Sequence, residues 1–501
     1  MPSAPRYFSS NAAIFGTPDL EARIRDNSLH TFGLAEAIIE GKPSDGGLFM
    51  PTYIPQIDID KIMNMKGKPY SDFFVETMKP FFQDVLSEKT LDRIGKEAYK
   101  FKPWIEDISK NDIIARLDEG PTAAFKDYAA QVFFRVIEAL MTEEPQTEIE
   151  YRQNLREIEL LMFILSTSGD TGSAMGVACH KKPKMSMLIL HPSLDGQVSD
   201  LQAKQMDTLG YNISVGRVPT DFDGCTKITN QLLEDPDLRY IKKNSANSIN
   251  IGRLLPQMTY YCYLYSNKAE KGEKVGVSVS CGNFGDLTAG LFAKKRGLPI
   301  DLIVGVNENK VFEEFYRTGI YKPFAESIPC PSVSMVVNKP SNTRRIVQLY
   351  GGQLIGDNLI VPPNFGELKK DIVAVYSIEN EETHEIVKKY YDEWHMIGRL
   401  HSTLEPHGAV AWGASQKFRK DSGYDGKIIT FETAHPAKFP ESLQRFGIHP
   451  ELPRCLARLV NKPHGKFYMV EDYSQAKDLL IDLYNQELAR NKQTSNLSSP
   501  I

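Results

Sequence analysis

The stretch Ile113-Ile114-Ala115-Arg116-Leu117-Asp118-Glu119-Gly120-Pro121-Thr122-Ala123-Ala124-Phe125-Lys126-Asp127, followed by Tyr128 to Leu140, decides the reading of this chain. Five mostly apolar residues predict a short strand. Gly-Pro is a turn signal. The run Tyr128-Ala129-Ala130-Gln131-Val132-Phe133-Phe134-Arg135-Val136-Ile137-Glu138-Ala139-Leu140 spaces its apolar residues as a helix does. Lys126 therefore stands where a strand gives way to a helix N-terminus, the end whose dipole repels an ammonium. That field and partial burial lower a lysine pKa, as a Schiff-base lysine requires. A lysine here can also extend its head to solvent.

Three further stretches repeat the strand, loop, helix pattern. Val275 to Ser280 predicts a buried strand, and Cys281-Gly282-Asn283-Phe284-Gly285-Asp286 leads into a helix over Leu287 to Lys295. Such a loop aims backbone N–H groups at an anion beside a favourable dipole. It matches neither the dinucleotide glycine pattern nor a nucleotide P-loop, and a Gly-x-x-Gly turn is also an ordinary connection. A candidate Schiff-base lysine together with a phosphate cup points to pyridoxal phosphate. Leu161 to Leu165 predicts a strand before Ser166-Thr167-Ser168-Gly169-Asp170-Thr171-Gly172-Ser173-Ala174. That loop offers donors to a carboxylate or phosphate, or plain helix capping by Ser168 or Asp170, and both can hold. Lys427-Ile428-Ile429 precedes Thr430-Phe431-Glu432-Thr433-Ala434-His435-Pro436-Ala437-Lys438-Phe439. A hydroxyl such as Thr433 facing a pyridine nitrogen can donate or accept, which leaves the ring largely unprotonated.

Taken together, Gly120 to Asp127, Thr167 to Ser173, Asn244-Ser245-Ala246-Asn247-Ser248-Ile249-Asn250, Gly282 to Asp286 and Thr433 to Phe439 resemble the threonine synthase family in motif, order and spacing. Ser44-Asp45-Gly46-Gly47-Leu48-Phe49-Met50-Pro51, Asp221-Phe222-Asp223-Gly224-Cys225 and Glu405-Pro406-His407-Gly408-Ala409-Val410-Ala411 extend the likeness over nearly the whole chain, on the longer fungal and bacterial branch. The chain departs from the family pattern at Lys310 and at Val336.

The resemblance implies a pyridoxal 5'-phosphate lyase of fold type II, like the tryptophan synthase β chain. It implies two open, mostly parallel twisted sheets flanked by helices, with an added N-terminal domain. Lys126 is expected to carry the cofactor. Gly282, Asn283, Phe284, Gly285 and Asp286 are expected in its phosphate loop, and Thr433 at its ring nitrogen. Ser168, Thr171, Asn247 and Arg253 are expected to face the substrate. That substrate is expected to be O-phosphohomoserine, converted with water to threonine and phosphate by γ-elimination and β-addition. A dehydratase of the same fold, or a cofactor-binding paralogue that no longer catalyses, are the rival readings.

Composition agrees with an enzyme of more than one domain. A chain of 501 residues exceeds one compact core. The expected division is residues 1–110, then 111–150 with 255–490 as the large cofactor domain, and 151–254 as a smaller mobile α/β domain. A net charge of -5 gives no electrostatic case for nucleic acid. Six scattered cysteines form no disulfide framework and lack metal-ligand spacing, which points to a reducing compartment. No membrane span and no metal are expected, and the setting is expected to be cytoplasmic, as a monomer or homodimer. Met1 to Leu20 reads as an irregular arm, Met50 to Pro55 as a Pro-rich hinge, Glu367 to Gly398 as charged and largely helical, and Asn491 to Ile501 as a frayed tail.

Overall fold

The computed structural model describes residues 3–145, 147–194, 196–396 and 403–497, with side chains to 493. Its strands are β1 (Tyr7–Ser9), β2 (Phe49–Pro51), β3 (Trp104–Asp107), β4 (Asp112–Arg116), β5 (Leu161–Ser166), β6 (Met185–Pro192), β7 (Ile213–Val218), β8 (Lys243–Ser245), β9 (Val275–Ser280), β10 (Ile300–Val306), β11 (Gln353–Ile355), β12 (Asn358–Ile360), β13 (Ile372–Ser377), β14 (Ile428–Glu432) and β15 (Tyr468–Met469). Two open sheets carry the architecture. One has the order β13-β10-β9-β14-β4-β3, the other β15-β7-β6-β5-β8. Every neighbouring pair in them is parallel except β3 with β4. β5, β6 and β9 are buried along their full length. Helices cover both faces of such sheets, so β5 reads as an almost continuous apolar run, while β9 alternates valines with the small residues Gly276, Ser278 and Ser280 and is buried on both faces all the same.

The strand-turn-helix units fall where the sequence places them. β4 ends at Arg116 and helix Lys126–Thr142 begins ten residues later; β9 is followed by helix Gly285–Lys295, and β5 by helix Asp170–Cys179. β14 runs to Glu432, further than the apolar core Ile428-Ile429-Thr430 indicated, because it pairs with the whole of β4 through Glu432↔Arg116.

Several expectations are corrected. The stretch from Glu367 is largely helical as expected, in helices Phe365–Asp371 and Asn380–His395, but between them it adds an edge strand, β13, because Ile372, Ala374 and Val375 are buried against β10. Gly398 lies outside the described residues. The N-terminal arm is structured: β1 pairs with β2, Tyr7 exchanges backbone hydrogen bonds with Phe32, and Tyr7 and Phe8 are fully buried. Met50 to Pro55 is pinned and not a hinge, since buried Arg296 donates Nε–H to the Pro55 carbonyl at 2.9 Å. The segment before residue 110 shares one continuous core with the larger sheet, Phe73, Phe74 and Phe81 packing with Tyr128, Phe133 and Tyr260. It also supplies β3 to that sheet's edge. At the other end, β15 pairs with β7 and helix Tyr473–Leu497 covers the smaller sheet, so the last residues of 255–490 return to the smaller unit. The polar tail is helical as far as Leu497, and 498–501 lie outside the described residues.

Candidate active site

The C-terminal ends of β4, β9 and β14 in the larger sheet face those of β5 and β8 in the smaller one, and a cleft lies between them. Ligands of open α/β sheets collect at such ends. Every residue singled out from the sequence lines this one cleft: Lys126, Ser168, Thr171, Asn247, Arg253, Gly282, Asn283, Phe284, Gly285, Asp286 and Thr433.

The turn before Lys126 is built for its place. Asp127 closes it by accepting from the Thr122 N–H at 2.8 Å and the Thr122 hydroxyl at 2.9 Å. A Cβ on Gly120 would sit 2.4 Å from that carboxylate. Ala123 takes a left-handed φ of 56°, a strained conformation for a residue with a Cβ. Two backbone bonds hold it there. Phe125 N–H donates to the Thr433 carbonyl at 2.8 Å, and His435 N–H to the Ala123 carbonyl at 3.1 Å. The same bridge therefore positions Lys126 and Thr433 together.

Lys126 keeps 16% of its side chain exposed, in the cleft. Burial lowers its pKa, Lys438 and Arg253 add to that effect, and Asp170 opposes it from 3.9 Å. Asp170 bridges the two sheets' edges. Its Oδ1 lies 2.6 Å from the ammonium of Lys438, which is fully buried, and accepts from Gln202 Nε2 at 2.8 Å. Burial works against the Asp170 carboxylate, yet Lys438 and then Lys126 hold it well below the usual carboxylate range. Sequence reading gave Asp170 only a capping role and Lys438 none. A lysine three residues beyond a buried strand's exit loop was the available signal.

The glycine loop ends in helix Gly285–Lys295, whose first N–H groups lack intrahelical partners. Its cap, Phe284, holds a left-handed φ of 58° and is braced by the ring of Phe312 at 4.4 Å. A Cβ on Gly282 would lie 2.7 Å from the Ser334 carbonyl and 2.9 Å from Met335 Cα, so only glycine lets that backbone cross. Asp286 turns to the hydroxyls of Tyr260 and Tyr261, at 2.7 and 2.8 Å. Burial pushes its carboxyl up to about 6.

Arg253 is 2% exposed. It donates Nη1–H to the Ala246 carbonyl at 2.8 Å, and its Nε has no hydrogen-bond partner among the described residues. Burial lowers it to about 10. Asn247 Oδ1, Gln257 Oε1 and Ser334 Oγ are likewise buried and unpartnered on the cleft wall. A phosphorylated, hydrogen-bonding ligand fits this donor set: a helix N-terminus with a glycine loop for one anion, a buried guanidinium for another, and a lysine with a lowered pKa between them. The departure at Val336 falls on the wall of a neighbouring hollow shared with Ser168, Phe222 and Cys330, while Met335 lines the cleft itself.

Missed by sequence reading as site residues were Gln257, Ser334, Met335 and His407, all on the cleft wall. Among the described residues no helix is long and apolar enough to cross a membrane, and no His, Cys, Asp and Glu cluster could hold a metal.

Comparison with known proteins supports the same picture. A family model described as "Threonine synthase N terminus" matches residues 24–99, and one described as "Threonine synthase, C-terminal" matches residues 408–479. The threonine synthase of Saccharomyces cerevisiae is 33% identical over 460 residues, covering 84% of this chain and 87% of its own length. A crystal structure of threonine synthase from yeast superposes with a TM-score of 0.80 at 27% identity, covering 98% of this chain and 100% of that one. A threonine synthase structure from Brucella melitensis with pyridoxal phosphate bound has a TM-score of 0.79 at 24% identity, covering 96% and 99%.

Proposed function

The chain belongs to the threonine synthase family, and from that premise we propose that it converts O-phospho-L-homoserine and water to L-threonine and phosphate. It is a pyridoxal-phosphate-dependent lyase acting on a small molecule. The observation that carries the substrate assignment is the buried, incompletely partnered guanidinium of Arg253 in a cleft that already has a phosphate-binding loop. A substrate with its own phosphate needs that second anion pocket. A short hydroxy amino acid does not.

Pyridoxal phosphate, when bound, supplies an aldehyde for an amine and a ring that accepts the charge left by a departing proton. The chain's own residues do the rest. Gly282, Asn283, Phe284, Gly285 and Asp286 would hold the cofactor phosphate through backbone N–H groups, and Thr433 would meet the ring nitrogen. Lys126, biased toward the neutral amine by burial, would anchor the cofactor and, as a free amine beside bound substrate, would serve as the base for the α- and β-protons. Ser168 and Thr171, at the N-terminus of helix Asp170–Cys179, receive the substrate carboxylate together with Asn247. Arg253 receives the substrate phosphate, its planar fork suiting bidentate contact.

We further place the mobile element in the smaller sheet, whose edge brings Ser168, Thr171 and Asn247 to the cleft. Its approach to the larger sheet excludes water until the addition step. All six cysteines are free, which supports a reducing, cytoplasmic setting. A monomer or a homodimer fits the reading. The test is phosphate release from O-phosphohomoserine by cofactor-loaded protein with threonine identified as co-product. Ammonia release from threonine without phosphate chemistry would instead mark a dehydratase.

A further inference from the structure

The Glu405-Pro406-His407-Gly408 stretch has no role in the scheme above, yet its glutamate is fully buried directly behind Thr433. Thr433 Oγ1 donates to Glu405 Oε1 at 3.1 Å. Three further donors converge on the same carboxylate. Gly408 N–H reaches Oε1 at 3.0 Å, and His407 N–H reaches Oε2 at 2.6 Å. The fourth is His407 Nδ1, and its tautomer is fixed from the other side of the ring. Ser334 N–H donates to His407 Nε2 at 3.0 Å, so Nε2 carries no proton and Nδ1 does.

Four donors on two oxygens match an ionised carboxylate and leave no place for a carboxyl proton. The neighbouring acid agrees. Glu432 Oε1 accepts the Glu405 N–H at 2.8 Å, and burial, followed by the charge of Glu405, drives Glu432 well above the usual range. The donors that converge on Glu405 place the negative charge of the pair there. Arg116 stands behind the pair, its Nη1 3.9 Å from Glu432 Oε1, and its nearer carboxylate is Glu106, whose Oε2 lies 3.2 Å from Nε.

We propose that Glu405 is a positioning residue that takes the hydroxyl proton of Thr433, so that Thr433 presents only lone pairs to the cleft and selects a protonated heterocyclic nitrogen. The inference rests on the reading that Thr433 meets the cofactor ring. It reverses what the hydroxyl considered alone implied, because a hydroxyl free to donate or accept leaves the ring unprotonated, whereas one committed to Glu405 can only accept. A protonated ring is the stronger acceptor of the charge released when Lys126 removes a proton. His407 adds a second consequence. Through Ser334 it ties the Glu405 carboxylate to the backbone that crosses Gly282, so the ring-nitrogen contact and the phosphate loop share one support.

The test is the 15N chemical shift of pyridoxal phosphate labelled at the ring nitrogen and bound to the full-length protein. The expected result is the upfield position of a protonated nitrogen in the wild type and in Thr433→Ser. Thr433→Val, which removes the acceptor, and Glu405→Met, which removes the oxygens that hold the hydroxyl proton, are expected to move it to the unprotonated position. A purely structural role for Glu405 would not move this signal while bound cofactor is retained. Should Glu405→Met fail to fold, Thr433→Val carries the comparison. An unprotonated nitrogen in the wild type, or a protonated one that persists in Thr433→Val, overturns the proposal. Failure of the underlying reading is recognised separately, by the absence of a Lys126-dependent visible absorption from bound cofactor.

Discussion

The two edges that form the cleft treat their polar groups differently. On the larger sheet, at the ends of β4, β9 and β14, the buried acids are each tied to donors before any ligand arrives, while Asp118 Oδ1, Asp286 Oδ2, Glu432 Oε2 and Ser334 Oγ keep no partner among the described residues. Asp127 has Thr122, Asp286 has two tyrosines, and Glu405 has four donors. On the side of β5 and β8, Asn247 Oδ1 and Arg253 Nε remain without partners. A buried polar group left open costs free energy that a bound partner can recover. The contrast assigns the work. The closed edge holds a permanent guest in a fixed geometry, and the open edge waits for a transient one. Asp170 ties them together, since it stands on the smaller sheet's helix but is held by Lys438 from the larger sheet's exit loop.

The sharpest way to break this contrast is to remove the group between the edges. Lys126→Ala is expected to lower turnover about 10^4-fold or more, since it deletes both anchor and base. The fold should survive, because Asp127 and the Phe125–Thr433 and His435–Ala123 backbone bonds hold the turn without the amine. Wild-type turnover in this variant, measured by phosphate release, would sink the whole assignment. Next comes the open edge. Arg253→Lys keeps a charge but loses the fork, and kcat/KM for the phosphorylated substrate should fall roughly ten- to a hundred-fold. Cofactor affinity should stay near that of the wild type, because the lysine does not touch the glycine loop. Equal losses of both would mean that the two anion sites are not separate. On the closed edge, Gly282→Ala drives a Cβ into the Ser334 carbonyl, a contact between backbones that neither can relieve cheaply. A destabilisation of about 1–3 kcal/mol in urea unfolding is expected, with weaker cofactor binding.

What was legible in the sequence divides along the same line. The strand, loop, helix units around Lys126, Gly282 and Ser168 were readable because a buried parallel strand is a run of apolar and small residues, and a ligand loop follows it directly. The supporting carboxylates were not. Glu405, Glu432 and Asp118 are ordinary acids in composition, and only tertiary packing buries them together behind Thr433. β13 was hidden for a related reason. It is an edge strand between charged helices, and its apolar run is short. The return of β15 to the smaller sheet was invisible, because two residues of strand carry no periodicity.

The last prediction concerns Asp118, which is 5% exposed and leaves one carboxyl oxygen without a partner among the described residues. Burial pushes its carboxyl up to about 7, against the lowering influence of Arg116. A group whose pKa is raised on folding binds its proton more tightly in the folded state. Its contribution to stability is therefore whole below about pH 4, where the unfolded chain is also protonated, and is lost as pH rises through 7. Asp118→Asn removes the ionisation while keeping the shape. The variant should match the wild type near pH 4 and gain on it steadily as pH rises to 8, by at most about 4 kcal/mol for a shift of this size, in urea midpoints taken without cofactor. A variant that is less stable at pH 8 would show that the ionised Asp118 is stabilised by Arg116 more than burial penalises it.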